Sequence, residues 1–170
     1  ITHKTLNKDN PKLNCRLKGF EKFSPKRIIL DNKLRTNTNS YLFKTANKKN
    51  TIFFYNEATR SKILEFKKNK IILLKSNINN NKKFNPSIIF KKLYTLGCRN
   101  ILVEGGDELT NNFISKKTFN QFFLFKGSKN LSKSFEFKEF SGLKILKKNY
   151  KKRLKIHSNF GKDTITLYKN

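Results

Sequence analysis

Carboxylates, amides and glycines at the ends of apolar runs are the residues of this 170-residue chain best suited to chemistry. The richest stretch is Arg99-Asn100-Ile101-Leu102-Val103-Glu104-Gly105-Gly106-Asp107-Glu108-Leu109. Ile101 to Val103 reads as a buried strand that ends on a carboxylate; two glycines and a helix start follow. In an open α/β sheet, ligands sit outside the carboxyl ends of the strands. Glycines let the backbone come close to a ligand and reach positive φ. A helix N-terminus offers N–H groups without intrahelical partners, which favour a phosphate or another anion. Glu104 can accept hydrogen bonds from a sugar hydroxyl. A plain tight turn accounts for the same residues equally well, because a short glycine motif says little without its context.

A second group lies near the start, in Thr5-Leu6-Asn7-Lys8-Asp9-Asn10-Pro11-Lys12-Leu13-Asn14-Cys15-Arg16. Asp-Asn-Pro is strong turn chemistry: an Asx side chain bonds backbone two residues on, and Pro fixes φ. This predicts a loop and turn over Thr5 to Leu13 and a short strand over Leu13 to Leu17. Arg is scarce in the chain, and the guanidinium fork of Arg16 suits a sugar phosphate. Taken alone, Arg16 is more simply a surface cation, and Asp9 a cap of the turn.

The elements that must position these groups follow from periodicity. Arg27 to Asp31, Thr51 to Tyr55 and Lys70 to Lys75 are short apolar runs of the kind found in buried parallel strands. Tyr41 to Thr45 fits a short strand or a helical turn, and Ser61 to Phe66 a short helix. Asn85 as N-cap, Pro86 at N1, apolar Ile88, Ile89, Leu93 and Leu96, and Gly97 past the end define a helix. Asp107 and Glu108 open another helix, whose apolar face is Leu109, Phe113 and Ile114. Strand and helix alternate up to about residue 120, the signature of a parallel α/β sheet. Beyond it, Phe122 to Phe125 reads as a strand. Phe135 and Phe137 alternate, as do Leu143, Ile145 and Leu146 in part. Tyr150 to His157 and Thr164 to Tyr168 read as antiparallel strands joined at Gly161, added to the edge of the sheet.

Size suits one domain with a real core. No apolar run is long enough for a membrane span, and no signal peptide pattern opens the chain. The net charge of +28 invites a phosphate-bearing partner such as nucleic acid. The lysines are spread along every segment, however, and Lys, Asn, Ile and Phe are all heavily used. Drift toward A/T-rich codons explains that composition better. Cys15 and Cys98 make neither a disulfide framework nor a zinc set, which points to reducing cytosol or an organelle lumen of similar redox state, the cytoplasm being the expected setting, with Cys98 as a small apolar residue.

Three segments together carry a family likeness. Thr5 to Arg16 resembles the T-x-L-x-D-[DN]-P-x-L-x-x-R segment of the riboflavin-biosynthesis reductase domain, usually the C-terminal half of a bifunctional deaminase–reductase. Pro25-Lys26-Arg27-Ile28-Ile29-Leu30-Asp31 and Ile101 to Gly106 match further segments in the same order. The resemblance implies a dihydrofolate-reductase-like three-layer α/β fold, with a mostly parallel central sheet and antiparallel C-terminal edge strands. It implies NADPH-dependent reduction of 5-amino-6-(5-phosphoribosylamino)uracil at C1′ of the ribose, giving a ribityl phosphate. Thr5, Asp9 and Asn32 would contact NADPH, and Gly105, Gly106, Asp107, Glu108, Leu109, Thr110, Asn111 and Asn112 would wrap it. Leu13, through its backbone, Arg16 and Glu104 would hold the phosphorylated pyrimidine substrate. No side chain is an obvious general acid, and no metal set is expected. The family's first strands and its zinc deaminase domain have no counterpart in residues 1–170, and the chain contains no Met; both read as a fragment of a longer parent. A homodimer is the default assembly. A basic nucleic-acid-binding module and an inactive reductase-like domain are the competing functions.

Overall fold

Three parallel strands carry the first half of the molecule, a computed structural model describing residues 1–128, 140–156 and 161–170. They are β1 (Arg27–Leu30), β2 (Thr51–Tyr55) and β3 (Ile72–Lys75), in the order β1-β2-β3. Residues of like parity share a face. Ile29 and Phe53 pack with Leu6, Leu42, Phe43 and Phe66. Those four come from α1 (His3–Asp9), α2 (Tyr41–Lys44) and α3 (Arg60–Lys68). Phe66 sets its ring edge-on against Phe43 and Phe53, with centroids 4.9 and 5.2 Å away. On the other face, Ile52 and Phe54 meet Phe84 and the Ile89 and Leu93 side chains of α4 (Pro86–Thr95). The expected α4 signals are all in use: the Asn85 side chain accepts from Ser87 N, Pro86 opens the helix, and Gly97 follows it at φ +81°.

A buried cation closes the amino end of this sheet. The Arg27 guanidinium donates to Thr51 Oγ1, Thr45 Oγ1, the Thr45 carbonyl and Asn50 Oδ1 at 2.7–3.1 Å. Its burial lowers its pKa, and the nearby Tyr41 pulls in the opposite direction.

The second half holds α5 (Asp107–Ser115), β4 (Gln121–Lys126), α6 (Gly142–Asn149), β5 (Arg153–Ile156) and β6 (Thr164–Lys169). The strands form an antiparallel sheet in the order β4-β6-β5. Phe122, Leu124 and Tyr168 pack with Ile114 of α5, Leu146 of α6 and Tyr150 just after it. The buried Tyr150 hydroxyl donates to the Ile114 carbonyl at 2.9 Å. The chain divides into two compact units, Ile1–Gly105 and Gly106–Asn170.

The structure corrects several expectations. Thr5 to Asp9 is helical, because Thr2 caps the helix and Leu6 is fully buried. Leu13 to Leu17 forms no strand. Leu143, Ile145 and Leu146 lie on helix α6, where Leu146 alone is fully buried. The antiparallel strands make a sheet of their own rather than extending β1–β3. The largest correction concerns Ile101 to Val103. Among the described residues this run has no ladder partner, and Leu102 is 80% exposed. An apolar run becomes a strand only where a neighbour accepts its backbone hydrogen bonds. Phe135, Phe137 and His157 lie outside the described residues.

Candidate functional site

The carboxyl ends of the parallel strands gather most of the first unit's polar candidates. Asp31 directly follows β1 and is fully buried. Its Oδ2 accepts from both the backbone N and the hydroxyl of Thr36, each at 2.8 Å. Its Oδ1 has no hydrogen-bond partner among the described residues, and His3 Nδ1 stands 3.7 Å from it. This clamp sets the turn that carries Asn32, whose carbonyl accepts from the backbone N of Asn56 and Glu57.

Helix α1 is stitched to the same turn. Asn7 donates to the Arg35 carbonyl and accepts from Asn37 N, and Asn10 Oδ1 accepts from Tyr41 N at 2.8 Å. Thr5, Asp9 and Asn32 thus sit on joined elements. Thr5 belongs to the helix cap, its N donating to Thr2 Oγ1 at 3.4 Å. Asp9 is exposed at the helix end; the turn is capped by Asn10 instead, in the left-handed region.

Leu13 has φ +46° while its side chain packs on the core that holds Leu6. A bulky residue there carries strain, which often accompanies a backbone shaped for a ligand. Arg16 is exposed and makes no hydrogen bond or ion pair among the described residues. Glu104 is exposed at the end of its loop. The Ile1 backbone N donates to the Ile28 carbonyl of β1 at 2.9 Å. Gly105 shares the exposed loop of Glu104.

The remaining candidates stand on α5 in the second unit. Gly106 is its N-cap at φ −69°, so positive φ is not why glycine is there. A Cβ at Gly106 would meet nothing within 4 Å, leaving open space beside the first-turn N–H groups. Asp107 is committed structurally, accepting from Ser141 N at 3.0 Å and Ser141 Oγ at 2.9 Å. Asn111 donates to the same hydroxyl, and its buried Oδ1 has no hydrogen-bond partner among the described residues. Glu108 is exposed, and Leu109, Thr110 and Asn112 are half-buried. Sequence reasoning missed Ser76 and Asn56, which follow β3 and β2. Serine and asparagine after apolar runs read as ordinary turn residues, and only strand pairing sets Asn56 N on the Asn32 carbonyl and Ser76 N on the Tyr55 carbonyl. Among the described residues, no cluster of His, Cys, Asp and Glu could hold a metal ion.

Comparison with known proteins places this geometry. In fold, the chain is similar to two crystal forms of RibD from Acinetobacter baumannii. Each has a TM-score of 0.69, at 16% and 15% identity, covering 99% of this chain and 45% of theirs. A pyrimidine reductase-like protein from Corynebacterium diphtheriae gives a TM-score of 0.67 at 14% identity, over 99% of this chain and 73% of that one. These likenesses define the class: a dihydrofolate-reductase-like α/β domain with a parallel and an antiparallel sheet. In sequence, the chain is 27% identical to the riboflavin biosynthesis protein RibD of Aquifex aeolicus, over 97% of this chain and 44% of that protein. It therefore spans under half the length of that relative. The RibD C-terminal domain model matches residues 1–166, and the chain belongs to that family, the reductase domains of riboflavin biosynthesis.

Proposed function

We propose that the chain is an NADPH-dependent reductase of 5-amino-6-(5-phosphoribosylamino)uracil, and that it works in a longer parent with a deaminase domain upstream. The carrying observation is the family match over residues 1–166, supported by the polar groups gathered where β1–β3 end. Each unit, taken by itself, offers groups suited to part of a nucleotide. The open space at Gly106 and the α5 N-terminus of the second unit suit a phosphate, and in the first unit the buried Asn32 Oδ1 has no hydrogen-bond partner among the described residues.

The bound cofactor supplies hydride chemistry, and the residues of the chain orient and exclude water. By the family resemblance, the cofactor contacts assigned are Thr5, Asp9, Asn32 and Gly105 in the first unit and Gly106, Asp107, Glu108, Leu109, Thr110, Asn111 and Asn112 in the second. Asp107 and Asn111 contribute by holding Ser141 and so fixing the first turns of α5. The Leu13 backbone and Glu104 hold the sugar and base of the substrate, and the Arg16 fork holds its phosphate. Reduction at C1′ opens the ribose to a ribityl chain.

Exposed lysines occur on α1, α3, α4, β4, α6 and β6, on both units, as compositional drift predicts and a dedicated nucleic-acid face does not. Among the described residues no helix is long and apolar enough to cross a membrane. The test is turnover by the parent protein and by its Glu104→Ala and Arg16→Ala variants. The proposal expects loss of turnover in both, with a raised KM for substrate in Arg16→Ala. Normal kinetics in both would overturn it. Cofactor binding without any turnover would assign the chain to inactive reductase-like domains.

A further inference from the structure

Three large apolar side chains stand in solvent on one short loop of the first unit. Leu17, Phe20 and Phe23 are 69%, 56% and 64% exposed, and residues 16–26 are exposed without a break. The loop nevertheless has a fixed shape. At its base the Ser24 hydroxyl accepts from Cys15 N at 3.1 Å and donates to the Glu21 carbonyl at 2.6 Å. Across it, Phe20 N donates to the Leu17 carbonyl and Phe23 N to the Phe20 carbonyl, at 3.0 and 2.9 Å. Gly19 makes the turn at φ +85°, where a side chain would be strained. Such turns bring Cα atoms three residues apart within about 7 Å. Leu17, Phe20 and Phe23 therefore make one ridge, with the Phe20 and Phe23 rings 6.0 Å apart.

The ridge is edged with positive charge. Arg16, Lys18, Lys22 and Lys26 flank it, against the single carboxylate of Glu21. Lys26 is engaged at the Leu96 carbonyl, and the Lys22 ammonium stands over the Phe23 ring at 5.1 Å. An apolar ridge with cations along its sides complements a surface that is anionic outside and apolar beneath. A bilayer carrying anionic headgroups has that layering. A second copy of the chain would instead set lysines against lysines.

We propose that the loop of residues 15–24 docks the protein on anionic membranes. Leu17, Phe20 and Phe23 enter the headgroup layer, and Lys18 and Lys22 meet the lipid phosphates. The docking loop needs no bound cofactor or substrate, so it stands apart from the reductase reading.

The experiment sediments the full chain with vesicles of three parts phosphatidylcholine to one part phosphatidylglycerol at physiological salt. A chain of net charge +28 adsorbs to such vesicles electrostatically, so the comparison keeps charge fixed. Phe20→Ser combined with Phe23→Ser removes the rings and no charge. Partitioning follows the apolar area buried, so this variant should bind at least about tenfold more weakly. Phe125→Ser, which removes a ring 69% exposed on the second unit, should leave partitioning unchanged. The chain contains no Trp, so a single introduced one reports insertion. The emission of Phe23→Trp should shift to the blue and be quenched by brominated acyl chains. Leu64→Trp, at a 57% exposed position of α3, should stay unquenched. Thermal melting of each variant confirms that it is folded. Equal partitioning of wild type and the double variant, or an unquenched Phe23→Trp, leaves electrostatic adsorption alone and overturns the docking loop. An equal loss in Phe125→Ser, or equal quenching of Leu64→Trp, overturns its assignment to residues 15–24.

Discussion

Replacing Asp31 by Ala should loosen the turn on which the candidate site is built. The carboxylate is fully buried, and one oxygen takes two hydrogen bonds of 2.8 Å from Thr36, itself 3% exposed. Hydrogen bonds to a charged acceptor contribute about 1.5–3 kcal/mol each. Removing the acceptor strands a buried N–H and a buried hydroxyl, while the desolvation cost of the carboxylate disappears. We expect a net loss of about 3 kcal/mol, a large part of the roughly 5–15 kcal/mol that stabilises a typical domain. Asp31→Asn keeps an acceptor for Thr36 and should cost about 1 kcal/mol. Urea unfolding is the assay, with the midpoint falling and the m-value unchanged. A double-mutant cycle with Thr36→Val should show strong coupling, because the two residues act as one clamp. A loss under about 1 kcal/mol in Asp31→Ala, or additive effects in the cycle, would refute the clamp.

Other expectations follow from the same structure. Tyr150→Phe removes one hydrogen bond to the Ile114 carbonyl, which keeps the Lys117 N–H, and should cost about 0.5–1.5 kcal/mol in urea unfolding. Burial raises the Tyr150 pKa above its usual 10.0, so its contribution is complete below that value and fades as pH climbs through the folded-state pKa; a melting-temperature series in alkali checks the sign. Gly142→Ala drives a Cβ into Asn111 Oδ1 and to within 2.6 Å of Phe140 Cζ, so the variant should lose about 1–3 kcal/mol of stability by thermal melting. Leu102→Asp should change the stability of the 170-residue chain by less than about 0.5 kcal/mol, because the side chain is 80% exposed; a large loss would restore the buried-strand reading.

What could be read from the residues was whatever repeats locally. Ile28 to Leu30, Thr51 to Tyr55 and Ile72 to Leu74 are unbroken apolar runs, and each is a parallel strand. Asn85, Pro86 and Gly97 mark both ends of α4 by backbone chemistry alone. Helix α1 was hidden because a single core residue, Leu6, anchors it and its cap is the hydroxyl of Thr2. Leu143 to Leu146 is too short a run to separate a two-residue from a 3.6-residue period. Ile101 to Val103 has the composition of a strand, but hydrophobicity does not say whether a partner strand lies alongside. The alignment of Asn56 with Asn32 and of Ser76 with Asn56 depends on register between strands twenty or more residues apart in sequence, visible only in the paired backbone.

The central claim is hydride transfer to the sugar of a phosphorylated pyrimidine. Its most direct test supplies the parent protein with 5-amino-6-(5-phosphoribosylamino)uracil and NADPH deuterated at the transferable position, then locates the label by mass spectrometry and NMR. The account predicts one deuterium at C1′ of a ribityl phosphate product, formed in step with cofactor oxidation. Oxidation of NADPH with no label in the sugar, or unreacted substrate in the presence of bound cofactor, would contradict it.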